Sequence, residues 1–113
     1  MNQGELFKAQ GHYSRAMATT EAGLAIFASL EDSQGEALAY NNLGEIAEAA
    51  GDDEQAEDAY QKSVSIYRRI EDRPGTAMVL EHLGKLMRRR GDARSAGYLQ
   101  EAALLSREMQ SDV

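Results

Sequence analysis

The residue types that could do chemistry are few, and their spacing does not assemble a reactive centre. His12 and His82 are the only histidines. They lie far apart, and neither has an acidic partner four positions on, so a metal site is not expected. Asp52-Asp53-Glu54 is acidic but lacks the alternate spacing of a calcium loop. It reads instead as a helix start, where the macrodipole favours carboxylates. Ser14, Thr19, Thr20 and Ser63 have no histidine and aspartate arranged to activate them. No cysteine is present, which removes thiolate catalysis, disulfides and thiolate-bound zinc together. No strand followed by a glycine-rich phosphate loop is found. An enzyme, a cofactor and a small-molecule substrate are therefore not expected.

What remains is charge. Arg88-Arg89-Arg90 is the sharpest local feature, because guanidinium forks match carboxylates and phosphates. The same arginines suit the C-terminal end of a helix dipole, as do Arg68 and Arg69. No aromatics interleave with the basic residues, and the net charge is −7, so nucleic acid is not an expected partner. Residues 1–60 hold two basic side chains against twelve acidic ones, and residues 61–113 hold ten against seven. The molecule is thus dipolar, acidic in front and mildly basic behind.

The elements that carry these charges are set by an internal repeat. Displaced by 40 residues, the chain matches itself. Gly4, Gly44 and Gly84 align, then Gly11, Gly51 and Gly91, then Ala16, Ala56 and Ala96. Apolar positions follow: Leu6, Ile46 and Leu86; Leu24, Val64 and Leu104. Ala37, Tyr40, Leu43, Gly44 and Ala47 lie on one face of a helix. Gly51 stops that helix, and Asp52 can accept from the free N–H groups of the next. Ala56, Ala59, Tyr60, Ser63, Val64 and Tyr67 form the second stripe. Tyr40, Tyr60 and Tyr67 are read as core. Six helices follow, roughly 2–10, 12–30, 34–50, 52–70, 74–90 and 92–109, with Pro74 in the first turn of the fifth. The fold is all-α, a single domain over 1–113 with units of about 1–33 (partial), 34–73 and 74–113. No apolar run reaches the roughly 20 residues of a membrane span, and no signal peptide opens the chain. A cytoplasmic protein is expected.

Leu43-Gly44 and Leu83-Gly84, the pairs Gly51-Asp52 and Gly91-Asp92, and an alanine five residues after each of those glycines resemble the tetratricopeptide repeat. The 40-residue period is similar to the longer variety in Leu-Gly-Asn polarity proteins, kinesin light chains and bacterial regulators. The chain departs from that pattern at His12, where an acidic residue or Asn is usual. It departs again at Gln100, where Tyr60 has its counterpart, and in carrying only one repeat-ending proline, Pro74. The resemblance implies a short right-handed solenoid of about two and a half repeats. It also implies that the first helices line a concave groove for a protein or peptide partner. By position that groove presents Glu5, Lys8, Ala9, Leu38, Asn41, Glu45, Glu48, Ala49, Met78, Glu81, Lys85, Arg88 and Arg89. Lys8, Asn41, Lys85 and Arg88 are also the residue types of a carboxylate clamp, but Glu45, Glu48 and Glu81 would repel an incoming acid. Solenoid ends need covering. Leu6 and Phe7 at the front, and Leu99, Leu104 and Leu105 at the back, pack backward, pair with a second copy as a homodimer, or face further repeats.

Overall fold

The computed structural model describes residues 3–111, with side chains from residue 9 onward. Five helices follow one another: α1 (Gln3–Ser29), α2 (Ser33–Ala49), α3 (Asp53–Arg69), α4 (Arg73–Arg89) and α5 (Ser95–Ser111). Each packs chiefly on its sequence neighbours, α2 on α3 and α4 on α5 most extensively. The molecule is a slab of 50 × 38 × 22 Å. Its thinnest dimension is about two helix diameters.

One turn design is used at every junction. The second residue after each of the first four helices adopts a left-handed backbone: Glu31 (φ 54°), Gly51 (84°), Glu71 (57°) and Gly91 (71°). The following aspartate then donates its backbone N–H five residues back, as Asp52 N does to Ala47 O at 2.9 Å. These are the paired bonds of a Schellman motif. At three junctions the same aspartate also caps the next helix. Asp32, Asp52 and Asp72 accept through Oδ1 from Gly35 N (2.9 Å), Gln55 N (3.1 Å) and Gly75 N (2.9 Å). Two residues thereby end one helix and start another.

The first of the expected breaks is absent. Residues 2–10 and 12–30 were expected as separate helices, but α1 runs unbroken through Gly11, which lacks the positive φ of Gly51 and Gly91. Position 12 carries histidine where the later junctions carry the capping aspartate, so the turn loses the acceptor that would stabilise it. Five helices result, in antiparallel pairs, with about two and a half repeats.

The core lies in the middle of the slab. Val79, Leu80, Leu83, Leu86 and Met87 of α4 are fully buried, joined by Tyr60, Val64 and Tyr67 of α3 and Ala37 and Ala47 of α2. Glycines let aromatic rings reach neighbouring backbones. The Tyr60 ring covers Gly44, Phe27 covers Gly35 and Tyr67 covers Gly75. Buried Ser63 donates to Ala37 O at 2.7 Å, tying α3 to α2.

The last helix departs from the 40-residue register. Leu99, not Gln100, fills the place that Tyr60 fills one unit earlier; a Cβ on Gly84 would lie 2.5 Å from it. Ala102 is buried and Leu105 packs on the core, while Ala96, which aligns with the buried Ala56, is exposed. The physical reason is polarity. Keeping strict register would press the Gln100 amide against Gly84, and an unbonded buried amide costs a few kcal/mol, roughly 1–3. Sliding by one residue buries leucine instead. The start of α5 permits it. Asp92 Oδ1 accepts from Arg94 N (2.9 Å) two residues on, and its carboxylate pairs with the Arg94 guanidinium, so α5 begins only at Ser95. Those bonds from Arg94 hold the Asp92 carboxyl down to about 2.

Candidate partner-binding groove

Helices α2 and α4, the first helices of their units, run side by side and are joined by a polar network. It begins at Asn41, whose side chain is buried. Asn41 Nδ2 donates to Glu45 Oε1 at 3.5 Å, one turn along α2. That orientation leaves Asn41 Oδ1 to accept from Nδ1–H of His82, 2.8 Å away on α4. The His82 ring lies 5.5 Å from the Tyr60 ring, tilted by 42°. The Tyr60 hydroxyl donates to Glu48 Oε1 at 2.9 Å. Burial, and then the Glu48 carboxylate, push that phenol well above the usual tyrosine range. Glu48 Oε2 receives Arg89 at 3.3 Å, and Arg89 also pairs with Asp53 at 2.9 Å. Hydrogen bonds from Arg89 thus link the end of α4 to both α2 and the start of α3. The pairs Asn41–His82 and Glu48–Arg89 share a separation of 41 residues, so the two parallel helices are staggered by one residue beyond the repeat.

These residues enclose a cleft of about 400 Å³ lined by Glu45, Glu48, Ala49, Tyr60, His82 and Arg89. Five of them were read as groove or core residues from the sequence: Glu45, Glu48, Ala49, Arg89 and, as core, Tyr60. Asn41 sits beneath the cleft rather than facing out. Leu38 is exposed further along α2, and Met78 packs against the core. Glu81 and Lys85 pair with each other at 2.8 Å, one turn apart on α4. Lys85 draws the Glu81 carboxyl below its ordinary range. Arg88 is exposed and has no ion-pair partner among the described residues. The side chains of Glu5 and Lys8, like those of Leu6 and Phe7, lie outside the described residues. Of the arginine run, Arg89 and Arg90 are engaged within the chain, Arg90 with Glu57 at 3.1 Å.

His82 was not picked out from the sequence as a groove residue. Met78, His82, Lys85 and Arg89 do share one helical stripe, so that spacing was the available signal. The Tyr60 hydroxyl reaching the groove from α3 had no such signal, because it depends on how α3 packs beneath α2.

Staggered parallel first helices, glycine-seated aromatic rings and aspartate-capped turns recur here with a 40-residue period. The sequence matches the tetratricopeptide repeat family over residues 1–69 and again over residues 35–107. The chain is a tetratricopeptide repeat protein. Tetratricopeptide repeats are generally protein–protein interaction modules and are typically non-catalytic. No curated protein matches the chain in sequence. No helix of this repeat protein is long and apolar enough to cross a membrane, and no group of three or more metal-ligating side chains is found, both among the described residues.

Proposed function

We propose that this protein binds a peptide or a segment of a partner protein in the groove between α2 and α4, in a scaffolding or regulatory role. The observation that carries this reading is the cleft of Glu45, Glu48, Ala49, Tyr60, His82 and Arg89 between the two first helices, the surface that the family resemblance implies for partners. Its walls are held by partly buried and surface bonds before any partner arrives, which lowers the ordering cost of binding. The groove belongs to the units at 34–73 and 74–113 of a single domain, with 1–33 a partial unit. The 40-residue period supports kinship with the longer repeat variety of polarity proteins and kinesin light chains. The lack of cysteine supports a cytoplasmic setting.

The test is selection of peptides from a displayed library against the full chain, followed by titration of the winners. Glu45→Lys combined with Arg88→Glu should weaken them about tenfold or more while helicity stays unchanged. Affinities that survive the double reversal place the binding surface elsewhere.

A second reading, homodimerisation through the solenoid ends, is favoured by Leu104, which is 52% exposed on α5. Leu99 and Leu105 beside it are turned inward, onto Gly84 and the core. Light scattering across protein concentration and salt decides between the readings. A dimer lost on Leu104→Glu supports this one, and a monomer at all concentrations removes it.

A further inference from the structure

The bonds around the cleft leave one group only weakly bonded, and its chemistry specifies a ligand. The Tyr60 hydroxyl is committed to Glu48, and Arg89 to Glu48 and Asp53. The His82 ring is anchored through Nδ1 by Asn41. Glu45 stands at the mouth of the cleft with its side chain 52% exposed. Its contacts in the cleft are long: Asn41 Nδ2 at 3.5 Å and His82 Nε2 at 3.5 Å. The Asn41 amide anchors the imidazole through Nδ1, which turns Nε2 toward Glu45 at a distance too long for a strong bond. Beside this carboxylate lie the partly exposed His82 ring, backed by the buried Tyr60 ring, and the methyl group of Ala49. A half-exposed carboxylate with only long contacts thus borders an imidazole face suited to stacking.

We propose that the cleft takes a cationic side chain of the bound segment, arginine above all, with its guanidinium paired to Glu45 and its flat face against the His82 imidazole. The inference rests on the groove reading above. Arginine fits better than lysine because its planar fork meets a carboxylate in two bonds, stacks on rings and is weakly hydrated. The acidic half of the chain, residues 1–60, steers such a segment toward α2. Arg89 does not compete for Glu45, since it is held by Asp53 and Glu48.

Amide chemical shifts of the full chain, followed by NMR, provide the test. The probes are Nα-acetyl-arginine amide, its lysine counterpart and its citrulline counterpart, the last being nearly isosteric with arginine but neutral. Arginine should give saturable shifts at Glu45, Ala49 and His82, lysine weaker ones, and citrulline none. Glu45→Gln should abolish the arginine shifts, and Glu54→Gln, outside the cleft, should leave them unchanged. Citrulline matching arginine, or an unchanged response in Glu45→Gln, overturns the proposal. Library peptides separate the two levels of failure. Groove-dependent peptides without arginine or lysine, indifferent to Glu45→Gln, overturn the cation while leaving the groove. The absence of any groove-dependent peptide overturns both.

Discussion

Gly44 and Tyr60 form a single unit of packing. The ring lies so close that a Cβ on Gly44 would sit 2.5 Å from it. The ring cannot swing away, because it is buried and its hydroxyl is tied to Glu48. Gly44→Ala therefore gains about 1 kcal/mol of helix propensity and loses more to overpacking, commonly 1–3 kcal/mol. Urea melts should show a net loss of about 1 kcal/mol. Gly97→Ala, with nothing within 4 Å of the new methyl group, should instead gain about 0.5 kcal/mol. A second residue-scale prediction concerns acid. Arg68 donates to both oxygens of Glu101, 3.0 Å for the Nη2–Oε1 bond, and these bonds draw the Glu101 carboxyl below its ordinary range. A lowered folded pKa means stabilisation that is present above the unfolded value and lost as pH falls through the folded one. The pair is partly exposed, so its worth is only about 0.5 kcal/mol. Wild type should exceed Glu101→Gln by that margin near neutral pH. The gap should close once the pH drops below the range of a free glutamate, about 4.3. A gap independent of pH would show that the ion pair contributes nothing.

At the scale of elements, two helices depart from the repeat, each because of one polar residue. Helix α1 is continuous because His12 replaces a capping aspartate. Helix α5 slides because Gln100 replaces an aromatic. The slide gives a clean experiment. Leu99 packs on Gly84, so Leu99→Ala should cost about 2–3 kcal/mol. Exposed Gln100→Ala should change stability by less than about 0.5 kcal/mol. Strict 40-residue register reverses that order, and thermal melts of the two variants distinguish the arrangements. Both departures had visible signals in the sequence, since His12 and Gln100 stand out as breaks in the pattern. Their consequences were not legible there, because a broken pattern does not say whether a helix fuses, slips or merely loses a contact.

For the molecule as a whole, burial is graded along the solenoid. Helix α4 holds five fully buried apolar side chains, α5 has only Ala102, and α1 has none among its described residues. In a linear array each unit is stabilised by its neighbours, so the ends open first. Hydrogen exchange should be slowest in α4, faster in α5 and fastest in α1. Equal protection across all five helices would mean that the chain opens only as one unit. The sequence by itself determined the helical class, the period, the turns at Gly51, Glu71 and Gly91, and the stripe from Asn41 to Glu48. These follow from local periodicity and local hydrogen bonds, which depend on residues a few positions apart. Only the tertiary structure decided that α1 is unbroken, that Leu99 takes the Tyr60 position, and that His82 and the Tyr60 hydroxyl join the groove. The last two outcomes turn on which side chain meets which across helices some 15 to 40 residues apart, where burying leucine outweighs keeping register and a one-residue stagger selects the contacts.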